Sequence, residues 1–236
     1  MRAVSVERVH LVTIEAMRLH EEEPAATRWR MIAVETLWAM IRAHRREDGP
    51  LIVAVDGRGA SGKSTLADRL AATATGCTVV HTDDLAWNEP LFAWFHLLRD
   101  GILEPARRRQ PVSFVPPAWP QHGRQGTIEI PASTEVLIVE GVGAAHAAVA
   151  DLLDMTVWMQ ADHIESERRG IARDLASGVN GDRDETVAFW HTWYSAERAY
   201  LTEDRPWRRA DVVVAGTPVP SPPRGLLVVA DGPLAN

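Results

Sequence analysis

Lysine is almost absent from this chain. Of its 25 basic residues 24 are arginine, and the one lysine is Lys63. Cysteine is as scarce: Cys77 stands alone, so no disulfide can form within the chain, and a reducing, cytoplasmic compartment is expected. No apolar run approaches the roughly 20 residues of a membrane span, and residues 1–8 lack the apolar stretch of a secretory leader. Basic charge is in deficit. The net charge of −7 argues against a non-specific nucleic-acid binder or a binder of acidic membranes. A local basic pocket is compatible with that balance. With 46% hydrophobic and 24% charged residues the chain is globular rather than disordered, and 236 residues fit one domain with short additions.

The one lysine stands in Gly57-Arg58-Gly59-Ala60-Ser61-Gly62-Lys63-Ser64-Thr65, which fits the pattern G-x-x-x-x-G-K-[ST] of a phosphate-binding loop. A composition driven to arginine elsewhere has kept lysine where a compact ammonium must reach between phosphate oxygens. A planar guanidinium is too wide and too rigid for that position. Gly57, Gly59 and Gly62 open backbone conformations closed to other residues. Successive N–H groups then turn inward as an anion nest, backed by the positive end of the next helix. Ser64 offers its hydroxyl to Mg²⁺, an ion that takes few protein ligands. A simple test follows from the composition. Amine-reactive labelling is expected to modify only Lys63 and the N-terminus, and Mg·ATP is expected to protect Lys63.

The surroundings of the loop suit the motif. Residues 51–56 are a continuous apolar run closed by Asp56, the mark of a strand buried on both faces. Residues 64–74 read as a helix. Further strands are expected at 78–81, 136–139, 155–159 and 212–215, with helices between most of them. That alternation predicts an α/β three-layer sandwich around a five-stranded parallel sheet. Residues 1–50 are expected to form an N-terminal helical extension, with a helix over 27–46 and a stop at 47–50; 6–20 fits a helix or a strand. Residues 107–131, with five prolines, read as a long excursion over the strand ends. The tail, 217–236, carries an apolar run at 226–230 that could add an edge strand.

Beyond the loop, Asp83 closes the second strand, Val136-Leu137-Ile138-Val139-Glu140-Gly141 forms the third, and Glu167-Arg168-Arg169-Gly170-Ile171-Ala172-Arg173-Asp174 and Ala210-Asp211-Val212-Val213-Val214 follow. In that order these resemble the uridine kinase-like P-loop kinases, over about residues 50–216. The resemblance implies ATP and Mg²⁺ as cofactors. It makes Asp83 the base and a group of the Mg²⁺ shell, and it makes Glu140 the carboxylate that holds a metal-bound water. It makes 162–183 a lid whose Arg169 and Arg173, with Arg168 and Arg183 as further candidates, close over the phosphates. Phosphoryl transfer needs mainly positioning and charge neutralisation, and the acceptor hydroxyl needs a carboxylate within reach, so the chemistry suits these positions. Plainer roles are open to each. Asp83 or Asp84 could cap a helix, Glu140 could be solvated, and the arginines could pair with Glu165, Glu167 and Asp174.

The acceptor pocket departs from the family. Where uridine kinases carry a tyrosine and a histidine, this chain has Phe114, Trp119, His122 and Arg124, and Phe114 has no hydroxyl to offer. Trp87, Trp94 and Trp119 could stack on an acceptor or simply pack the core, and Arg107, Arg108 and Arg109 could attract an anion or simply be solvated. The expected partner is a small-molecule acceptor bearing a hydroxyl, with no nucleic acid and no membrane; a homodimer is open. Two other readings compete, a catalytically silent nucleotide-binding regulator and a zeta-toxin-like kinase. A GTPase is excluded, because its guanine motif needs a second lysine.

Overall fold

The computed structural model describes residues 11–45 and 49–234. Residues 6–10 of the undecided N-terminal segment, residue 46 at the end of the expected helix, 47–48 of the expected stop and the last two of the tail lie outside the described residues. Before the first buried strand come β1 (Arg30–Ala33) and α1 (Val34–Ala43). The phosphate-loop unit is β2 (Leu51–Gly57) followed by α2 (Lys63–Ala72). Next come β3 (Cys77–His81) and the short α3 (Thr82–Ala86). α4 (Glu104–Arg107) leads into the excursion, which holds β4 (Val112–Phe114), α5 (Ala118–Gln121) and β5 (Ile128–Ile130). Then follow β6 (Val136–Glu140), β7 (Met155–Gln160), α6 (His163–Ser177), α7 (Arg183–Asp204), β8 (Val212–Ala215) and β9 (Leu226–Asp231).

The main sheet has the order β1-β9-β8-β7-β2-β6-β3. The five expected strands are its parallel part, β8-β7-β2-β6-β3. The sheet is nonetheless seven-stranded: β9 adds antiparallel to β8, and β1 antiparallel to β9. The run at 226–230 is thus a strand inside the sheet rather than its edge. The N-terminal region corrects the sequence reading further. Residues 30–33 extend the sheet instead of opening a helix, because pairing with Leu226–Val229 overrides the helical spacing read around them. Among the described residues before β2, α1 is the one helix. Residues 12–29 lack regular structure but are tied down. Arg18 forms a two-pronged ion pair with Asp162 at 2.8 and 3.0 Å, and the buried Glu23 accepts from Trp158 and Gln160.

Alternation along β2 sends its side chains to two cores, as a strand must. Val53 and Val55 face Leu37 and Ile41 of α1 and Leu66 and Leu70 of α2. Ile52 and Ala54 face Leu85, Leu98, Ile102 and Trp207 on the other side. Both faces of the parallel strands are therefore covered, and the glycine-rich loop leaves the carboxyl end of β2. The excursion, with no periodicity to read, forms a small second sheet, β4 antiparallel to β5.

Candidate active site

The chain leaves β2 into the loop of residues 57–62 and enters α2 at Lys63. Two glycines shape that turn for different reasons. At Gly57 a Cβ would stand 2.7 Å from Met159 Cβ, so crowding demands glycine. At Gly62 there is room, but φ is +99°, a conformation that side chains rarely adopt. Among the described residues, no hydrogen bond engages the backbone N–H groups of Ala60, Gly62, Lys63, Ser64 or Thr65. The Ser61 hydroxyl is buried without a partner. Lys63 is 6% exposed, and its ammonium donates to the Arg58 carbonyl at 2.6 Å. A cradle of unused donors with one cation over it fits phosphate oxygens.

The parallel register brings the next groups together. Val55 on β2 and His81 on β3 both lie opposite Glu140 on β6. The carboxylate accepts from the Ser64 hydroxyl at 3.0 Å and bonds His81 Nδ1 at 2.5 Å. Burial works to raise its pKa, but the His81 bond and the Lys63 charge prevail and hold it below the ordinary glutamate range. The oxygens of Ser64 and Glu140 are the hard ligands that Mg²⁺ prefers. Among the described residues, no three His, Cys, Asp or Glu side chains form a ready metal cage.

Asp83 sits in the first turn of α3, within the electrostatic reach of Lys63, Glu140, His81 and Arg173. It opens to solvent but is recessed among the walls around it, and that enclosure holds its carboxyl above the ordinary aspartate range. It does not cap the helix, because His81 occupies that position and no side chain caps the turn. Asp84 is not a cap either. It pairs with Arg124, whose guanidinium lies 3.8 Å from the Trp119 ring centre and 5.4 Å from that of Trp87. Trp119 donates its indole N–H to the Asp84 carbonyl at 2.8 Å. Trp94 and Trp119 are buried, which leaves Trp87 as the half-buried ring of the three. The triple arginine is no free patch: Arg107 bonds Asp154 and the Pro50 carbonyl, Arg108 pairs with Glu104, and Arg109 bonds the Gly49 carbonyl. Phe114 rests against Gly101.

On α6, Arg168 and Arg169 both pair with Glu165, and Arg173 pairs with Asp174. Arg169 also reaches the Gly216 carbonyl at 3.2 Å. Gly216 lies on the phosphate loop, so close that a Cβ there would meet the Ser61 carbonyl at 2.2 Å. Arg183 stands exposed in the first turn of α7. In this structure, then, the expected lid arginines are held by their neighbours along the helix.

Several working residues escaped the sequence reading. Asp56, fully buried at the end of β2, accepts N–H bonds from Gly57, Gly143 and Ala145 at 2.7–2.9 Å. Burial pushes its carboxyl up to about 6, against those bonds and Lys63. It thereby fastens the start of the phosphate loop to the segment after β6. Asp56→Asn is expected to lose the Ala145 bond and set donor against donor, at a cost of about 1–3 kcal/mol; urea unfolding measures it. His81 is a second omission, and Glu197, described below, a third. The Arg58 side chain is a correction: it is 2% exposed and turns away from the loop mouth, so only its backbone belongs to the loop.

No protein-family model and no curated protein matches the sequence. Solved structures do resemble it. Two are provisionally assigned kinases. A fructose transport system kinase from Silicibacter sp. TM1040 superposes with a TM-score of 0.56 at 22% identity, covering 73% of this chain and 96% of its own. A uridine kinase from Bacillus stearothermophilus gives 0.53 at 19%, covering 76% and 96%. The D-glycerate 3-kinase of Cryptococcus neoformans gives 0.53 at 12%, covering 77% and 92%. The chain therefore has the fold of the P-loop small-molecule kinases.

Proposed function

We propose that this protein is a kinase that uses Mg·ATP to phosphorylate a hydroxyl of a small molecule, nucleoside-, vitamin- or sugar-like. One observation carries the reading. Lys63 with Ser64, Asp83 and Glu140 come from three separate stretches of chain, yet they converge at the carboxyl ends of β2, β3 and β6.

The N–H groups of residues 60 and 62–65 and the Lys63 ammonium would bind the phosphates, and Ser64 and Glu140 would hold the metal. Bound Mg²⁺ supplies positive charge that offsets charge on the phosphate oxygens. Asp83 orients the acceptor hydroxyl and takes its proton as the new O–P bond forms and the γ-phosphoryl bond to ADP breaks. Its raised pKa makes it a better base than an ordinary aspartate. The Asp84–Arg124 pair, beside the half-buried Trp87, offers donors and acceptors suited to a hydroxyl-bearing molecule.

Closure would move Arg169 and Arg173 from Glu165 and Asp174 onto the phosphates, excluding water and suppressing hydrolysis. Arg173 is exposed, and the buried Asp174 keeps its bonds from Trp190 and Asn180 without it, so the pair contributes little to stability. Arg173→Ala is thus expected to leave the melting temperature unchanged while kcat falls about tenfold to a hundredfold.

No helix among the described residues is long and apolar enough to cross a membrane. We place the protein in the cytoplasm, acting on a soluble metabolite rather than on nucleic acid. ADP release across a panel of nucleosides, pantothenate, sugars and aminoglycoside-like compounds tests the reading. Stimulation by one class supports it. A response to none of them favours the silent regulator or a macromolecular target.

A further inference from the structure

Helix α7 touches the lid and the phosphate loop in turn. Trp190 packs on Gly170 of α6, where a Cβ would meet its ring at 2.0 Å, and its indole N–H donates to Asp174 at 2.8 Å. Trp193 faces Gly59 of the loop at 3.2 Å from the Cβ position. Tyr194 has the Arg58 guanidinium 4.9 Å from its ring centre. One turn further, Glu197 is fully buried. Its Oε1 accepts the Gly59 N–H at 2.6 Å, and its Oε2 stands 3.4 Å from Arg58.

We infer that Glu197 is a positioning residue for the phosphate loop and sets its affinity for nucleotide, acting through Gly59 and Arg58. The inference rests on the nucleotide-binding reading above. Packing alone would not select this pair, since a buried ion pair is costly to assemble where apolar residues would serve. The carboxylate does two things that an apolar residue cannot. It takes the Gly59 N–H at the start of the turn and so fixes the loop from behind. The donors of residues 60 and 62–65 then remain free on the other side.

Taken alone, however, a buried anion beneath an anion site would repel phosphate. Arg58 cancels that charge, which accounts for a buried arginine at a variable position of the motif. Glu23 also lies within reach of the Arg58 charge, but its carboxyl is bonded to Trp158 and Gln160. Glu197 is the residue in contact.

The test is equilibrium binding of Mg·ATP by calorimetry, with thermal unfolding beside it. Glu197→Ala removes the Gly59 acceptor and is expected to raise Kd about tenfold or more. Glu197→Gln keeps that acceptor and should stay within about threefold of wild type, at a lower melting temperature because Arg58 is left unpaired. Arg58→Met leaves the anion beneath the loop and should weaken binding about tenfold. The double variant R58M/E197Q removes both charges, keeps the acceptor, and should bind within about threefold of wild type. If the alanine variant does not fold, the other three still decide. A folded E197A with wild-type Kd, or a double variant no better than R58M, overturns the inference alone. A wild type that binds no nucleotide overturns the functional reading, and this inference with it.

Discussion

Asp83→Asn is expected to lower kcat by about 10²–10⁴-fold, the usual contribution of a positioned base, while Kd for Mg·ATP stays within about threefold. Asparagine keeps the size of the side chain and its place in the first turn of α3, so the cleft should not collapse. It cannot take the proton of the acceptor hydroxyl. An interaction needed only as the proton moves lowers kcat and kcat/KM together, whereas a binding role would raise KM. A variant that turns over ATP and acceptor near the wild-type rate would remove Asp83 from the role of base. Arg173 and Lys63 both bear on the Asp83 charge, so the neutral variant also perturbs its cationic neighbours. That effect belongs to binding, and the Kd measurement isolates it.

The second large effect is expected at Lys63. Lys63→Met should lose about 10²–10³ in kcat/KM, because a donor aimed at developing phosphate charge is removed from an enclosed site. The more telling variant is Lys63→Arg, expected to fail about as badly. The side chain is 6% exposed and folds over the loop to within 2.6 Å of the Arg58 carbonyl. A branched, planar head has no room to follow that path between loop and phosphates. Activity of the arginine variant near wild type would mean that the lone lysine is an accident of composition.

That lysine shows how far the sequence could be read. The glycine-rich loop, the parallel strands around it and the place of Glu140 at the end of one of them were legible because each is written locally, as a motif or as an apolar run ending in a carboxylate; Asp83, read as the end of a strand, stands in the first turn of α3 just beyond it. What was not legible depends on contacts between distant stretches of chain. Residues 30–33 carry helical spacing and become a strand only because β9 offers an edge. Asp56 read as the polar end of a strand, and its three N–H partners come from residues 57, 143 and 145. Glu197 sits in an ordinary-looking helix 138 residues beyond the glycine it holds. Arg58 counted as a loop residue, but no local pattern says that its side chain turns inward. The excursion gave no period at all, and its Arg124 gains meaning only from Asp84, 40 residues earlier.

The central claim is that this cleft moves a phosphoryl group from ATP to a small hydroxyl with Asp83 as base. Phosphorus NMR of wild type and Asp83→Asn with Mg·ATP and the acceptor panel tests it most directly. The account predicts that the γ-phosphate signal of the wild-type sample is replaced by that of a phosphomonoester on one acceptor, and that the variant binds ATP but forms no ester on the same timescale. A wild type that binds ATP and yields only inorganic phosphate, or no product with any acceptor, would contradict it.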